Sequence, residues 1–238
     1  MGMTYNSFVT SVANMMPVPT TDPNFQTMLP DAITDAELRL YRVLDLVDTS
    51  QRDSSATLTA GNRNFNLPST NGTYIVTDEI NVITPASATT ADGGTRNQLV
   101  PCSDEMLNAL WPSVSGSTVP QYFAFINQDL IIVGPWPDQN YRVEVVGTAR
   151  PTPLSASNQT TILTEFFPDL FLSAAMVFVS AYMKNFGASV DDPKAGVTWE
   201  QHFNALLADA KEEENRKQLT LQGWSDKSLA KDVTPPRT

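Results

Sequence analysis

The sequence is poor in the side chains that most enzymes use for chemistry. Its 238 residues include one cysteine, Cys102, and one histidine, His202. A single cysteine excludes an intramolecular disulfide framework and a multi-cysteine zinc cluster, and a single histidine leaves no second imidazole for a metal triad. No G-x-S-x-G, P-loop or G-x-G-x-x-G motif occurs, although these are local signatures of serine hydrolases and nucleotide-binding folds. We therefore predict that the chain is not an enzyme and needs no metal or cofactor.

Positive charge and long hydrophobic runs are also scarce. Asp and Glu total 26 against 15 Lys and Arg, for a formal net charge of −11, which argues against binding along a phosphate backbone. The most apolar segment, residues 170–183, contains two serines and is shorter than the roughly 20 residues that cross a bilayer. Residues 1–19 lack a basic segment followed by an apolar run, so no secretory signal is expected. We predict no membrane span.

The N-terminal zone has helical periodicity. Its apolar residues fall at helical spacing until the sequence reaches Pro17, and they are Tyr5, Phe8, Val9, Val12, Met15 and Met16. Asp22 followed by Pro23 is typical of a helix start, because the carboxylate caps backbone N–H groups and proline suits the first turn. A second such start occurs at Pro30 and Asp31. The pattern predicts one amphipathic helix followed by one kinked helix or two short ones.

The middle zone, from about Ser54 to Arg150, changes to period two and to turn residues. Strands are predicted in the segments NRNFNLP, TYIVTDEINVITP, YFAFINQDLIIVGPWP and YRVEVVGTARP. The third segment is expected to form a hairpin that turns at Asn127 and Gln128, and Ser103 is expected to cap a short helix. The segment 85–98 contains three Thr, two Gly and no large apolar residue and is expected to be an exposed, mobile loop. This zone predicts an antiparallel sandwich or a partly open barrel.

The C-terminal zone returns to helical periodicity. An apolar helix is expected to start at Pro168, and because it is apolar on nearly every face it must be covered by its own domain or by neighbouring subunits. Small residues, Ala174, Ala175 and Ala181, would let another helix approach closely. The next helix carries an apolar stripe formed by Trp199, Phe203, Leu206 and Ala210. Gly223 is expected to end that helix, and the residues after it lack periodicity.

Together these zones predict an α+β fold. A helical bundle of N- and C-terminal helices would hold an inserted antiparallel β-sandwich or partly open barrel domain. We expect N-terminal helices in residues 1–52, the β-domain in 53–152, C-terminal helices in 153–223 and an extended tail in 224–238.

Three short motifs resemble those of a known family. The first is LPDAITDAELRLYRVLD, with Leu29, Pro30, Ile33, Ala36, Glu37, Arg39 and Leu40. The second is the hairpin with Tyr122, Ile131, Pro135, Pro137, Tyr141 and Glu144, and the third joins the apolar helix to the Trp199 helix. In order and content these motifs resemble the head-to-tail adaptor, or connector, proteins of tailed bacteriophages, over nearly the whole chain up to about residue 220.

The resemblance implies a structural virion protein made in the host cytoplasm and located in the neck between capsid and tail. It implies a ring of identical subunits, expected to be a dodecamer, that joins the portal protein to a tail or nozzle protein. DNA would pass through the ring channel without sequence-specific binding, and no catalytic residue is implied. In this picture the β-insert faces the tail, and the C-terminal tail binds the portal through Trp224, Leu229, Val233, Pro235, Pro236 and Arg237. Neighbouring subunits would pack through the apolar helix at Phe171, Ala174, Ala175, Phe178, Ala181 and Tyr182.

Other interpretations remain open at the level of sequence. The apolar helix could be the core of a monomer. The β-domain could instead bind a glycan or another ligand, with Trp136 and Tyr141 as stacking rings. An enzyme would require a substrate site near His202 or Cys102.

Overall fold

The chain folds into two compact units, each described here by itself. The computed structural model describes residues 2–183 and 195–228. Of these, the residues up to Asp48 and from Pro153 onward form a helical unit, and residues Thr49–Thr152 form a β unit. The predicted fold class, α+β with a β-insert between helical segments, is confirmed.

The helices and strands follow one another in a simple order. Along the described chain the helices are α1 (Tyr5–Met15), α2 (Pro23–Val43), α3 (Asp104–Leu110), α4 (Ile162–Phe166), α5 (Pro168–Met183) and α6 (Ala195–Ser228). The strands are β1 (Ser50–Leu58), β2 (Asn64–Asn66), β3 (Thr73–Thr84), β4 (Thr95–Gln98), β5 (Val100–Pro101), β6 (Tyr122–Phe125), β7 (Leu130–Gly134) and β8 (Tyr141–Arg150). A single 3-10 turn, Val47–Thr49, precedes β1.

The helix starts follow the local sequence. The Asp22 carboxylate accepts hydrogen bonds from the backbone N–H groups of Asn24 and Phe25, both at 2.9 Å, and Pro23 occupies the first turn of α2. These contacts satisfy N–H groups that have no partner inside the helix. Helix α2 continues through Pro30, so of the two predicted forms the structure has one continuous helix.

Helix α5 is the centre of the helical core. It packs against α2 and α6, and the Phe171 ring lies 5.0 Å from the Phe8 ring of α1. Phe171, Ala174 and Ala175 are fully buried by these helices of their own unit. This corrects the expectation that these three residues contact neighbouring subunits, because their surfaces are already covered. The apolar helix is therefore a core element of its own unit.

The β unit is a sandwich of two four-stranded sheets. One sheet has the order β1-β8-β3-β4 and is antiparallel throughout, and the other has the order β2-β7-β6-β5. Side chains from both sheets share one core that includes Ile80, Ile131 and Val145. The pairing of β5 with β6 is parallel, which differs from the purely antiparallel arrangement that was expected. The described strands form two open sheets and no closed barrel.

Two segments differ from the sequence-based expectation. Strand β1 is polar and has no apolar alternation along most of its length, yet it pairs with β8 over residues 50–58. Within the segment expected to be an exposed loop, residues 95–98 form β4 and pair with the end of β3. Ala91, from the same segment, is buried. Pairing with strands distant in sequence orders both segments.

Candidate interaction surfaces

The residues predicted to bind the portal lie at and beyond the end of α6. Helix α6 includes Gly223 and continues to Ser228, so Gly223 does not end it and Trp224 belongs to a helix rather than to an extended tail. The helix continues because glycine lowers helix stability by only about 1 kcal/mol and does not force a stop. The other five predicted anchors, Leu229, Val233, Pro235, Pro236 and Arg237, lie outside the described residues.

A buried carboxylate holds the second half of α6 in place. Glu214 is buried and accepts a hydrogen bond at 3.0 Å from the backbone N–H of Val47. Its other oxygen lies 2.7 Å from the Lys217 ammonium. Burial alone would lower the pKa of Lys217, but its hydrogen bonds to Glu214 and Glu213 outweigh burial and raise that pKa above its ordinary value. Gln218 adds a hydrogen bond to the Asp45 carbonyl at 3.0 Å, so α6 is fixed to the segment that follows α2.

The first sequence motif also fixes backbone and helix positions. Glu37 is buried and accepts a hydrogen bond from the backbone N–H of Leu154 at 2.8 Å. Arg39 forms an ion pair with Glu200 of α6, and its guanidinium lies 3.9 Å from the centre of the Phe203 ring. The motif therefore joins α2 both to the chain that re-enters the helical unit and to α6. These are structural roles, and they explain why the two charged residues occur within an apolar helix pattern.

The remaining predicted subunit contacts lie toward the end of α5. Phe178 is half-buried and Ala181 is exposed. The side chain of Tyr182 lies outside the described residues. Phe178 and Ala181 are thus the two members of the predicted set whose described side chains have surface left for another subunit.

The two rings proposed for glycan stacking are not available as a platform. Tyr141 is buried in the sandwich core, and its hydroxyl donates a hydrogen bond to Asp138 at 2.7 Å. Trp136 is half-buried, its indole N–H donates to the Trp111 carbonyl at 3.0 Å, and the Arg63 guanidinium lies 5.2 Å from its ring. Both rings already have protein partners, which corrects the hypothesis of a stacking site at these residues.

Cys102 and His202 have ordinary structural environments. Burial raises the pKa of the Cys102 thiol, which disfavours the reactive thiolate. The thiol contacts the Phe123 carbonyl at 3.5 Å. His202 is exposed on α6 and lies edge-on to Trp199, with ring centres 6.0 Å apart. In the described parts of the chain, no group of three or more His, Cys, Asp or Glu could hold a metal ion.

A charge cluster orders the segment that was expected to be mobile. Glu144 of β8 is buried, and both its carboxylate oxygens accept hydrogen bonds from the Arg96 guanidinium, at 2.9 and 3.0 Å. Arg96 also contacts Asp92 at 2.7 Å. Arg96 lies on β4, and Glu144 is 48 residues away in the sequence. The two charge-assisted hydrogen bonds between them therefore attach the segment 92–96 to the sheet.

Helix α3 lies on the outer face of the second sheet. Leu107 is fully buried and packs on Ala124 and Ile132. The Trp111 ring stacks on Tyr122 with centres 5.7 Å apart. A Cβ at Gly134 would lie 2.6 Å from Leu107 and 2.7 Å from Trp111, so only glycine allows the helix to approach this closely.

One flank of α3 and the neighbouring edge strand carry exposed apolar side chains. Asn108 contacts Arg63, next to β2 at one edge of the sheet. Met106 and Leu110 lie on the opposite flank of the helix, about 160° around its axis. Val100 of β5 pairs with Tyr122, and paired residues point to the same face. We call Val100, Met106, Leu110 and Tyr122 the α3–β5 patch.

Sequence reasoning missed this patch. The helix and its Ser103 cap were predicted and are confirmed, with the Ser103 hydroxyl accepting a hydrogen bond from the Met106 N–H at 3.2 Å. The sequence did not indicate which flank of a seven-residue helix stays exposed. That depends on the position of Leu107 against the sheet.

The unit that carries the patch is acidic, and two of its carboxylates lie beside the patch. Residues 49–152 contain nine Asp and Glu, five Arg and no Lys. Asp104 and Glu105 lie in the first turn of α3. A hydrogen bond from its own backbone N–H, with a further one donated by the Ser103 hydroxyl, lowers the pKa of Glu105 below its ordinary value. An ionised carboxylate therefore stands beside the patch at neutral pH.

Comparison with known proteins gives a family match that covers most of the chain. The model of the SU10 adaptor protein family matches residues 3–223, a range that includes both compact units. No curated protein matches. None of the described helices is long and apolar enough to cross a membrane.

Proposed function

Since the chain belongs to the SU10 adaptor protein family of phage head-to-tail adaptors, we propose that it forms a ring that joins the portal to the tail. The family is structural, and its members associate with portal and tail in the phage neck. The ring, its expected twelve copies and its position around the DNA channel are our proposal. The observation that carries it is the extent of the match, which spans both units rather than one motif.

The charge balance supports a channel that DNA can traverse. The chain carries 26 acidic against 15 basic residues, and a negative surface repels the phosphate backbone rather than holding it. A ring of such chains would let DNA pass without sequence-specific binding during packaging and ejection. We expect no catalytic step and no cofactor in this role.

We propose that the portal binds the end of α6 and the residues after it. Near the end of its described side chains, α6 contacts the segment after α2 through the bond from Gln218 to the Asp45 carbonyl. The helix backbone continues for ten residues to Ser228, or about 15 Å at 1.5 Å per residue. Trp224 in this segment and Leu229, Val233, Pro235, Pro236 and Arg237 after it are the proposed anchors. Phe178 and Ala181 are the proposed contacts between subunits.

Co-sedimentation with portal rings of the phage that encodes the chain tests this function. We expect the full chain to bind with one copy per portal subunit, as measured by light scattering. Two truncations refine the test, because removal of residues 229–238 leaves the described part of α6 whole, whereas removal of 224–238 also removes Trp224. Both truncated proteins should fold and lose portal binding. Full portal binding by the shorter truncated protein would contradict the assignment of the anchors.

A further inference from the structure

The α3–β5 patch is an apolar surface on an acidic unit. Val100 is 53% exposed, Met106 41% and Leu110 54%, so about half of each side chain faces solvent. Tyr122 lies half-buried between the helix and the strand. Single exposed apolar residues are common, but three on adjoining elements around an aromatic ring are typical of an interaction surface.

The edge of the sheet beside the patch is unsuited to adding a further strand. Strand β5 is two residues long, and one of them, Pro101, has no backbone N–H to donate. An incoming strand would therefore find almost no continuous edge with which to pair. A partner at this edge has to bind through side chains.

The surrounding charge selects the kind of partner. Asp104 and Glu105 stand at one end of the patch, and the unit has no lysine to balance them. Its arginines are occupied in part by internal contacts, such as Arg96 with Glu144 and Arg142 with the Ser54 carbonyl. A second copy of the same acidic surface would be repelled, and so would DNA or an anionic lipid surface.

We propose that the α3–β5 patch docks a protein whose surface has an apolar cleft bordered by Lys and Arg side chains. This inference rests on the adaptor function proposed above and adds to it that the β unit meets the tail, through these residues and this partner chemistry. The apolar side chains supply the buried area, and Asp104 and Glu105 pair with the basic border. Such a surface is small for one subunit, but a ring presents many copies at once, and avidity multiplies weak single contacts.

Sedimentation with two purified particles tests the patch separately from the adaptor function. The probes are portal rings and tails from the phage that encodes the chain, each mixed with the full-length protein. We expect the variant Val100→Thr, Met106→Ser, Leu110→Ser to bind portal rings as the unchanged protein does. Its binding to tails should be roughly tenfold weaker or more, since the exposed half of each side chain would be buried on docking.

A matched control and a charge variant sharpen the result. Val114 is an exposed apolar residue of the same unit, 51% accessible, located beside Gly61 and outside the patch. Val114→Ser should bind both particles normally. The variant Asp104→Asn, Glu105→Gln should bind tails more weakly at 50 mM NaCl, and the difference should vanish at 500 mM NaCl because salt screens the charge pairs.

The outcomes separate the two proposals. Normal tail binding by the three-residue variant would overturn the role of the patch while leaving the adaptor function in place. Self-association of the free protein that the same variant abolishes would assign the patch to a second copy and would also overturn the proposal. An unchanged protein that binds neither particle would overturn the adaptor function itself.

Discussion

Two buried carboxylates hold the main chain where it leaves and re-enters the helical unit. Glu214 on α6 accepts the N–H of Val47, shortly before β1, and Glu37 on α2 accepts the N–H of Leu154, shortly after β8. A buried charge without partners is costly, so each is stable only because it has hydrogen-bond donors. These pairs are separated by 167 and 117 residues in sequence. Single side chains therefore define the position of both connections in the helical unit.

Replacement of Glu214 should destabilise the helical unit, and its neighbour provides the control. Glu214→Ala would leave the half-buried N–H of Val47 without this acceptor and the Lys217 ammonium without its buried partner, at a cost of about 1–3 kcal/mol. Glu213 is exposed and forms a surface ion pair with the Lys217 ammonium at 3.1 Å. Glu213→Ala should therefore cost under about 0.5 kcal/mol. Urea unfolding followed by circular dichroism measures both. Equal losses in the two variants would show that the Val47 contact contributes little.

At the scale of elements, tertiary contacts stabilise one helix and one strand that their local sequences do not favour. Helix α2 keeps 21 residues in one helix although Pro30 lies inside it. Residues on both sides of the proline, Leu29, Ala32 and Ile33, are buried in the core that α2 shares with α5. Strand β1 has little propensity of its own, but it pairs with β8 along its length. In each case packing overrides a local preference.

Removal of the internal proline should stabilise the helical unit. Pro30 is exposed, so Pro30→Ala opens no cavity, and it restores a backbone N–H that can bond to the Gln26 carbonyl. A proline inside a helix costs about 3 kcal/mol relative to alanine, and we expect a gain of about 1–3 kcal/mol in the free energy of unfolding. Asp31→Ala, at the next exposed position, should change stability little. A loss of stability in Pro30→Ala would mean that the core requires a bend that only proline supports.

At the scale of the whole molecule, the two units have separate cores. The core residues of the sandwich all lie between Leu58 and Ala149, and those of the helical unit all lie outside this range. The chain enters the β unit at β1 and leaves it from β8, which are neighbouring strands in one sheet. The two ends of the insert are therefore close together, as is typical of inserted domains.

The β unit should fold when it is produced alone. We expect residues 49–152 to give a cooperative urea transition and a near-ultraviolet circular dichroism signal from Trp111 and Trp136, because the unit carries its own core. The fragment 59–152 lacks β1 and exposes the edge of β8, so it should unfold or aggregate. Absence of a cooperative transition in residues 49–152 would show that the unit depends on the helical segments for stability.

The sequence by itself determined the local structure and the class of protein. Helical spacing with Asp22, Ser103 and Pro168 at helix starts located α2, α3 and α5, and period two with Asn127 located the β6–β7 hairpin. These features depend on residues within a few positions of one another, so a local pattern is sufficient to predict them. The motifs around Glu37 and Tyr141 carried the family resemblance for the same reason.

Only the tertiary structure decided which surfaces are buried. The sequence left open whether α5 faces its own unit or a neighbour, and contacts from α1, α2 and α6 cover it. It did not indicate the polar strand β1, the parallel pairing of β5 or the attachment of Arg96 to Glu144. The sequence also did not indicate which flank of α3 stays exposed. Each of these depends on contacts between residues far apart in the chain, and periodicity within one segment carries no information about the segment that will cover it.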